Sequence, residues 1–278
     1  MYNYTVDSYF QIGQVHLRTG VPCQDYADVN ISEDRAQIVV SDGCSTAGKT
    51  DIGSRLAVRS RLYNPSADAS IEHMIALKVM LSLDLRDLYS TCLYAYINKE
   101  GRGNINISGD GVVVFKCKNN KLIAFKYEWE DNRPYYTIYS CSKQLTESFI
   151  QDHGGDKYAF KFKKETWKYE DGTWGQDSYG WYTLDEGMTG VNIELSEELI
   201  EKEEIEYIAL FTDGLVNFTD LSWKDACVDL LDFKSTAGVF LKRNMIFILR
   251  EIQKEHMMKD DIAGAIIHIM RCEDECAG

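Results

Sequence analysis

The stretch that decides the fold is residues 37–45, Gln-Ile-Val-Val-Ser-Asp-Gly-Cys-Ser, an apolar run of strand length that ends abruptly in Asp42-Gly43. A close copy stands at 208–215, Ile-Ala-Leu-Phe-Thr-Asp-Gly-Leu, and ends in Asp213-Gly214. Each run predicts a buried strand, and Asp-Gly alone is an ordinary turn pair. Because the pair recurs after two matched runs, we expect the strands to lie side by side and to present both carboxylates to one ion.

The charge balance also favours a cation as the partner. The chain has 278 residues, with 30 basic and 44 acidic ones, so its formal net charge is −14. No tract is rich in Lys or Arg, which argues against electrostatic capture of nucleic acid or of an anionic membrane. Divalent cations are the better expectation.

Composition predicts a compact intracellular protein. Hydrophobic residues make up 45% and prolines number three, so the chain can build a core without a disordered linker. No basic segment followed by an apolar run opens the sequence, and no stretch of about eighteen apolar residues occurs. We therefore expect a cytoplasmic monomer whose eight scattered cysteines are free thiols.

The hydrophobic pattern predicts a mixture of strands and helices. A strand is expected at 8–18, and the apolar stripe from Ile71 to Leu88 predicts a long helix. The other expected strands are 37–41, 90–97, 104–108, 112–116, 122–129, 135–139, 205–212 and 262–270, and the other expected helices are 51–63, 223–231 and 239–256.

Residues 143–195 form the least regular part of this pattern. Their aromatic residues are spread among Gly, Asp and Lys. The segment can be a flap that grips a substrate, or it can cover the face of a sheet, which is the commoner use of aromatic residues in irregular structure. We treat it as an insertion in a single domain that spans 1–278.

Several acidic residues stand at strand ends or turns. Carboxylates are hard oxygen ligands, so a set of Asp residues without ligand-grade His or Cys suits Mg²⁺ or Mn²⁺ better than zinc. Close carboxylates repel one another unless a cation holds them together. The members of the set are Asp25, Asp42, Asp110, Asp213 and either Asp260 or Asp261.

In these motifs the chain resembles the type 2C (PPM) family of metal-dependent Ser/Thr protein phosphatases, and within it the bacterial branch. Five short motifs occur in the family's order and span nearly the whole chain. They are Cys23-Gln24-Asp25, Val40-Ser41-Asp42-Gly43, Gly109-Asp110-Gly111, Phe211-Thr212-Asp213-Gly214 and Lys259-Asp260-Asp261-Ile262. The resemblance implies an α+β fold, a four-layer sandwich of two antiparallel β-sheets flanked by α-helices, with a metal site at one end.

The resemblance also implies a role for each matching residue. Asp42 would bridge two Mg²⁺ or Mn²⁺ ions, the Gly43 carbonyl would bind one of them, and Asp213 and Asp260 would complete the other. Asp25 would hold a metal-bound water. Asp110 would bind a third ion. Binding of this ion is left open, because its other ligand in the family is an acid at the position where this chain has Asn217.

Two further positions depart from the family pattern. Cys44 follows the second-motif Asp-Gly, where many eukaryotic members have a histidine, and Gly20 stands where they have a phosphate-binding arginine. His16 and Arg18, expected on the preceding strand, are candidates for these roles; His16 can equally be an ordinary strand residue. Cys44 itself is no cysteine-phosphatase nucleophile, because 44–47 lacks the arginine that such a site needs.

The sequence therefore predicts an enzyme, a phosphoprotein phosphatase that hydrolyses phosphoserine or phosphothreonine with a water activated by two metal ions. A phosphoprotein would be its only partner. The alternative is a phosphatase-like module with little turnover that binds or regulates a partner, and the missing histidine and arginine favour it.

Overall fold

The structure is a computed structural model that describes residues 1–64, 66–155, 160–184 and 189–272. Twelve strands in the described ranges form two antiparallel sheets. The strands are β1 Tyr2–Gln11, β2 Tyr26–Ile31, β3 Arg35–Ser41, β4 Cys92–Asn98, β5 Gly103–Ser108, β6 Gly111–Cys117, β7 Leu122–Trp129, β8 Lys161–Glu170, β9 Thr173–Thr183, β10 Val191–Leu195, β11 Ile205–Phe211 and β12 Ile262–Arg271.

Seven strands form the larger sheet, in the order β1-β12-β11-β6-β7-β8-β9. The other five form the smaller sheet, in the order β10-β5-β4-β3-β2. Side chains alternate between the two faces of each strand. In β3, for example, Ile38 and Val40 point into the core between the sheets, and Val39 points out towards Val58 of the neighbouring helix. Central strands are therefore apolar on both faces, which explains their continuous hydrophobic runs.

Helices cover the outer faces of both sheets. The α-helices of the described ranges are α1 Gln14–Thr19, α2 Thr50–Tyr63, α3 Ala67–Met80, α4 Lys143–Asp152, α5 Glu197–Lys202, α6 Trp223–Leu230 and α7 Phe240–Ile252. Helix α2 packs on the smaller sheet with α3 against it, while α6 and α7 pack on the larger one. The expected α+β fold with four layers is confirmed.

Three expectations about individual elements were wrong. Residues 8–18 are not one strand, because β1 ends at Gln11 and His16 and Arg18 lie on helix α1. The apolar stripe that ends at Leu88 is not one helix, since α3 ends at Met80 and a short 3-10 turn covers Leu85–Leu88. A 3-10 turn at Thr137–Cys141 replaces the strand expected at 135–139. At 8–18 and 135–139 a short apolar pattern fitted both periods. The helical stripe is instead interrupted after Met80, where Ser82 has a φ of 52°.

The segment 143–195 is far more regular than its composition indicated. It contains helix α4, the β8–β9 hairpin, which extends the larger sheet, and β10, which extends the smaller one. Trp167 and Trp174 lie on this hairpin, and Trp174 contacts Trp223 of α6. These aromatic residues cover a sheet, which is the commoner of the two roles considered for this segment.

Candidate metal centre

All five predicted acids lie beside strand ends at one edge of the sandwich. Asp25 directly precedes β2 and Asp42 directly follows β3, and these antiparallel neighbours pair Tyr26 with Ser41. Asp110 precedes β6 and Asp213 follows β11, which pair Val112 with Phe211. Asp260 stands two residues before β12, whose Gly264 also pairs with Phe211. Register alone therefore brings the acids to the same end of their sheets.

The two Asp-Gly strands do not lie side by side, contrary to expectation. β3 belongs to the smaller sheet and β11 to the larger one, so they face each other across the sandwich. The carboxylates of Asp42 and Asp213 nevertheless influence each other, since the charge of Asp213 helps to raise the pKa of Asp42. The acids thus meet between the sheets rather than along one of them.

Asp25 and Asp42 interact across the two turns, since each affects the pKa of the other. The Thr212 hydroxyl donates to Asp25 Oδ2 at 2.5 Å. Burial raises the pKa of Asp25 to about 7, with further contributions from the charges of Asp261 and Asp260. Burial also raises the pKa of Asp42 well above its ordinary value, and the Asp25 charge adds to this.

Backbone contacts fix the turn that carries Asp42. Its N–H donates to Thr91 Oγ1 at 2.9 Å, and the Thr91 N–H donates to the Asp42 carbonyl at 2.8 Å. The next residue must be glycine, because a Cβ on Gly43 would lie 2.5 Å from the Thr50 carbonyl oxygen. Gly43 N–H donates to the Gln24 carbonyl at 3.1 Å, which ties this turn to the one carrying Asp25.

Asp110 and Asp213 supply the side of the larger sheet. Asp110 sits between Gly109 and Gly111, whose φ angles of 97° and 143° favour glycine. Burial raises the pKa of Asp110 to about 6. Burial raises the pKa of Asp213 well above its ordinary value, and the charges of Asp110, Asp25 and Asp260 raise it further. Asn217 Nδ2 donates to Asp213 Oδ2 at 3.4 Å, so it supports this acid instead of adding another carboxylate.

The structure separates the two candidates Asp260 and Asp261. Asp261 is 1% exposed and accepts from Gly13 N–H and Gln24 N–H, both at 2.6 Å. His16 Nδ1 lies 2.8 Å from Asp261 Oδ2. Through these contacts the Asp261 carboxylate joins three chain segments. Asp260 is the residue of the two that is left to interact with the other acids, and its charge acts on Asp25 and Asp213. Burial raises the pKa of Asp260, and nearby His16 lowers it.

The structure does not bring Arg18 together with these acids. Its side chain is exposed on α1 and lines a cleft with Gln14 and residues 253–257. Within the described ranges, no hydrogen bond or ion pair joins Arg18 to any of the predicted ligands. His16 lies close to the site, where its contact is with Asp261 and not with one of the predicted ligands.

The residue types fit a divalent cation bound by oxygen. All five members are Asp, they are buried or half-buried, and four of them, Asp25, Asp42, Asp110 and Asp213, have pKa values raised partly by the charges of other members. Such mutual repulsion is what a cation would offset. In the described part of the chain, no three acidic, His or Cys side chains already have the mutual arrangement of a finished metal site. The donor chemistry therefore fits, and small movements of side chains would be needed.

A groove of about 500 Å³ adjoins this centre and was not expected from the sequence. Its wall includes Cys44, directly after the Asp42-Gly43 turn, and Tyr136. Burial raises the pKa of Tyr136, and the charges of Cys44, Asp42 and Asp110 raise it further. The inner end of the groove is therefore close to two of the acids.

Two supporting residues of the site were also missed, Thr91 and Thr212. Thr212 directly precedes the Asp213-Gly214 pair, so its position was a usable signal. Thr91 is 49 residues from Asp42, its hydrogen-bond partner, and nothing in the sequence links them.

Comparison with known proteins agrees with the fold and the motifs. A family model described as Protein phosphatase 2C matches residues 12–243. No match was found among the curated proteins. Among solved structures, a bacterial serine phosphatase has a TM-score of 0.55 and 12% identity, with 96% of this chain and 98% of that chain covered. The serine/threonine phosphatase Stp1 from Staphylococcus aureus has a TM-score of 0.54 and 12% identity, with 98% of this chain and 96% of that chain covered.

The family match spans most of the chain, which therefore belongs to the protein phosphatase 2C family. The expected resemblance is confirmed, and with it the assignment to the phosphoprotein phosphatases. The likeness to the solved structures, at 12% identity, concerns the fold alone. No helix within the described ranges has the length and apolar character needed to cross a membrane.

Proposed function

We propose that this protein hydrolyses phosphoserine or phosphothreonine in proteins and depends on Mg²⁺ or Mn²⁺. The observation that carries the proposal is the meeting of Asp25, Asp42, Asp213 and Asp260 at one edge of the sandwich, where their charges raise one another's pKa values. Buried carboxylates brought together in this way need a counter-charge. A divalent cation provides it with the ligand chemistry that these residues offer.

The residues would divide the work as follows. Asp42 and the Gly43 carbonyl would hold the ions from the smaller sheet, with Asp213 and Asp260 holding them from the larger one. When bound, two such ions lower the pKa of a shared water and neutralise charge on the phosphoryl oxygens. Asp25, held by the Thr212 hydroxyl, would orient that water. Asp110 would serve a third ion, with Asn217 weakening that position because it brings no charge.

His16 would act as a positioning residue in this arrangement. Its Nδ1 contact with Asp261 joins α1 to the turn before β12, beside Asp260. The role of general acid for His16 and that of phosphate ligand for Arg18 stay predictions, as do the cytoplasmic location and the monomeric state.

Hydrolysis of p-nitrophenyl phosphate tests the mechanism, because the small substrate needs only the metal centre. We expect turnover with Mn²⁺, loss of turnover in EDTA, and a fall in kcat of about 100-fold or more for Asp213→Asn. Asp68→Asn is the matched control, since Asp68 is exposed on α3. Phosphoserine and phosphothreonine peptides should then be hydrolysed in preference to phosphotyrosine peptides.

Equal rates for the wild type and for Asp213→Asn, each measured with Mn²⁺ and with EDTA, would contradict the mechanism. Tight Mn²⁺ binding by calorimetry without turnover on any phosphopeptide would instead support the alternative, a module that binds a partner.

A further inference from the structure

The groove beside the metal centre has a distinctive lining. Three tyrosines, Tyr89, Tyr136 and Tyr139, are in mutual contact along it, with ring centroids 5.0 to 5.9 Å apart. Tyr89 and Tyr139 are half-buried, so part of their rings faces the opening. An aromatic wall with a few polar groups is typical of surfaces that bind an extended peptide or another ligand.

Two arginines line the same groove, Arg86 and Arg133. Both are exposed, and neither forms an ion pair with any side chain in the described ranges. Besides the arginines, the tyrosines and Cys44, the titratable side chains of the lining are Asp152 and His153, at the end of α4. Unpaired arginines beside the centre stand out in a chain of net charge −14.

The position of Arg86 is fixed by its neighbour Asp87. Asp87 Oδ1 accepts from Lys49 N–H at 2.6 Å, and Asp87 Oδ2 accepts from Asp84 N–H at 2.8 Å. Gly48 leaves no room for a side chain there, because a Cβ would meet Asp87 Oδ1. The 3-10 turn is thereby attached to the loop that follows Asp42-Gly43, and the turn presents Arg86 next to that loop.

We propose that this groove binds the polypeptide segment flanking the phosphorylated residue and that Arg86 and Arg133 select acidic side chains in that segment. The proposal rests on the proposed function and adds a substrate class, phosphoproteins with acidic residues next to the phosphorylation site. A guanidinium pairs with a carboxylate in two parallel hydrogen bonds, so an acidic flank suits these side chains better than a neutral one. The tyrosines would contact the peptide backbone and apolar groups.

The test compares two phosphothreonine peptides that differ only in their flanks, one with Glu and the other with Gln at the same positions. For the wild-type enzyme with Mn²⁺ at low salt, we expect kcat/KM to be about 10-fold higher for the Glu peptide, with the ratio shrinking at 0.5 M NaCl. Arg86→Ala and Arg133→Ala should each reduce the ratio by about 3-fold, and the double variant should abolish it. Arg102→Ala, an exposed arginine in the β4–β5 turn, should leave the ratio unchanged.

Hydrolysis of p-nitrophenyl phosphate separates the possible failures, because this substrate has no flank. The double variant should retain the wild-type rate within about 2-fold, which also reports an intact metal centre. An equal loss on this substrate and on both peptides would overturn the proposal, since the arginines would then contact the transferred phosphoryl group itself. A ratio near one for the wild type, or a ratio unchanged in the double variant, would overturn it too.

Absence of turnover by the wild type on every substrate would contradict the proposed function instead. In that case, fluorescence polarisation of the labelled Glu and Gln peptides in Mn²⁺ still tests the groove. Preferential binding of the Glu peptide that is lost in the double variant would support the proposal, and equal binding of the two peptides would refute it.

Discussion

Asp261 illustrates how neighbouring identical residues acquire different roles. The residue pattern alone left either Asp260 or Asp261 as a member of the acidic set, and the family resemblance assigned the role of metal ligand to Asp260. The structure gives Asp261 three hydrogen-bond partners from distant segments, and its side chain is fully buried. Its role is therefore to hold together the segments that carry Asp25, Asp260 and His16.

Replacing Asp261 should cost stability. In Asp261→Ala the Gly13 and Gln24 N–H groups lose their acceptor, and unsatisfied buried donors typically cost about 1–3 kcal/mol each. We expect the free energy of unfolding to fall by about 3 kcal/mol in urea titration. Asp232→Ala removes an exposed aspartate and should change it by less than about 0.5 kcal/mol. Equal stability of the two variants would contradict this role.

Residue identities were well predicted where a motif is local. The five acids were found because each stands beside Gly or another turn residue within a few positions. Thr91 was missed because its partner Asp42 is 49 residues away, and the attachment of the turn that carries Arg86 was missed because Lys49 and Asp87 are 38 residues apart. The structural role of Asp261 was missed for the same reason, since its partner Gly13 is 248 residues away. Such contacts follow from the packing of elements and leave no local pattern.

At the scale of elements, close backbone approach holds the turn after β11 against the start of β12. A Cβ on Gly214 would overlap with the Asp261 carbonyl oxygen. Backbone atoms cannot rotate away as a side chain can. The turn carrying Asp213 therefore stays beside the one carrying Asp260 only while position 214 has no side chain.

Gly214→Ala should separate these turns. We expect a loss of about 3 kcal/mol in the free energy of unfolding, the upper part of the range for overpacking, together with weaker Mn²⁺ binding by calorimetry. Gly175→Ala is the control, because nothing lies within 4 Å of the added methyl group on β9. A Gly214→Ala protein that binds Mn²⁺ as the wild type does would refute the argument.

Long apolar runs predicted the strands β3, β11 and β12 well, and amphipathic patterns predicted the helices α2 and α7. The errors fell where a short pattern suited both helix and strand, as at residues 14–19 and 137–141. Hairpin β8–β9 was missed because β9 is exposed along most of its length and lacks a buried, alternating face. The structure of β9 depends on its pairing with β8, and the periodicity of a single sequence gives no information about such pairing.

At the scale of the molecule, the clustered acids make stability depend on pH when metal is removed. Their pKa values in the folded protein are raised, to about 7 for Asp25 and about 6 for Asp110, above the ordinary value of 3.8. Between pH 4 and 7 the folded state thus binds more protons than the unfolded state. The stabilisation is complete at low pH and is lost as the pH rises through the folded-state values.

We therefore expect Tm in EDTA to be about 5 °C lower at pH 7.5 than at pH 5.0, as measured by calorimetry. Mn²⁺ should raise Tm more at pH 7.5 than at pH 5.0. Asp213→Asn removes one of the repelling charges, so it should raise Tm in EDTA at pH 7.5 and reduce the difference between the two pH values. Half-buried His268, whose lowered pKa acts in the opposite sense, is common to both proteins and cancels in the comparison. If the Tm difference between pH 5.0 and pH 7.5 is the same in the wild type and in Asp213→Asn, repulsion among the acids is not its cause.

The pairing of β1 with β12 has a consequence for synthesis. β1 is an edge strand, and within the described ranges its only neighbour in the sheet is β12, with Tyr2 opposite Arg271. A chain emerging from the ribosome therefore offers β1 no partner in its sheet until β12 has been made. The proposed metal centre also waits for Asp260, so the nascent protein can neither complete the β1–β12 pairing nor assemble this centre before residues 260–271 have been synthesised.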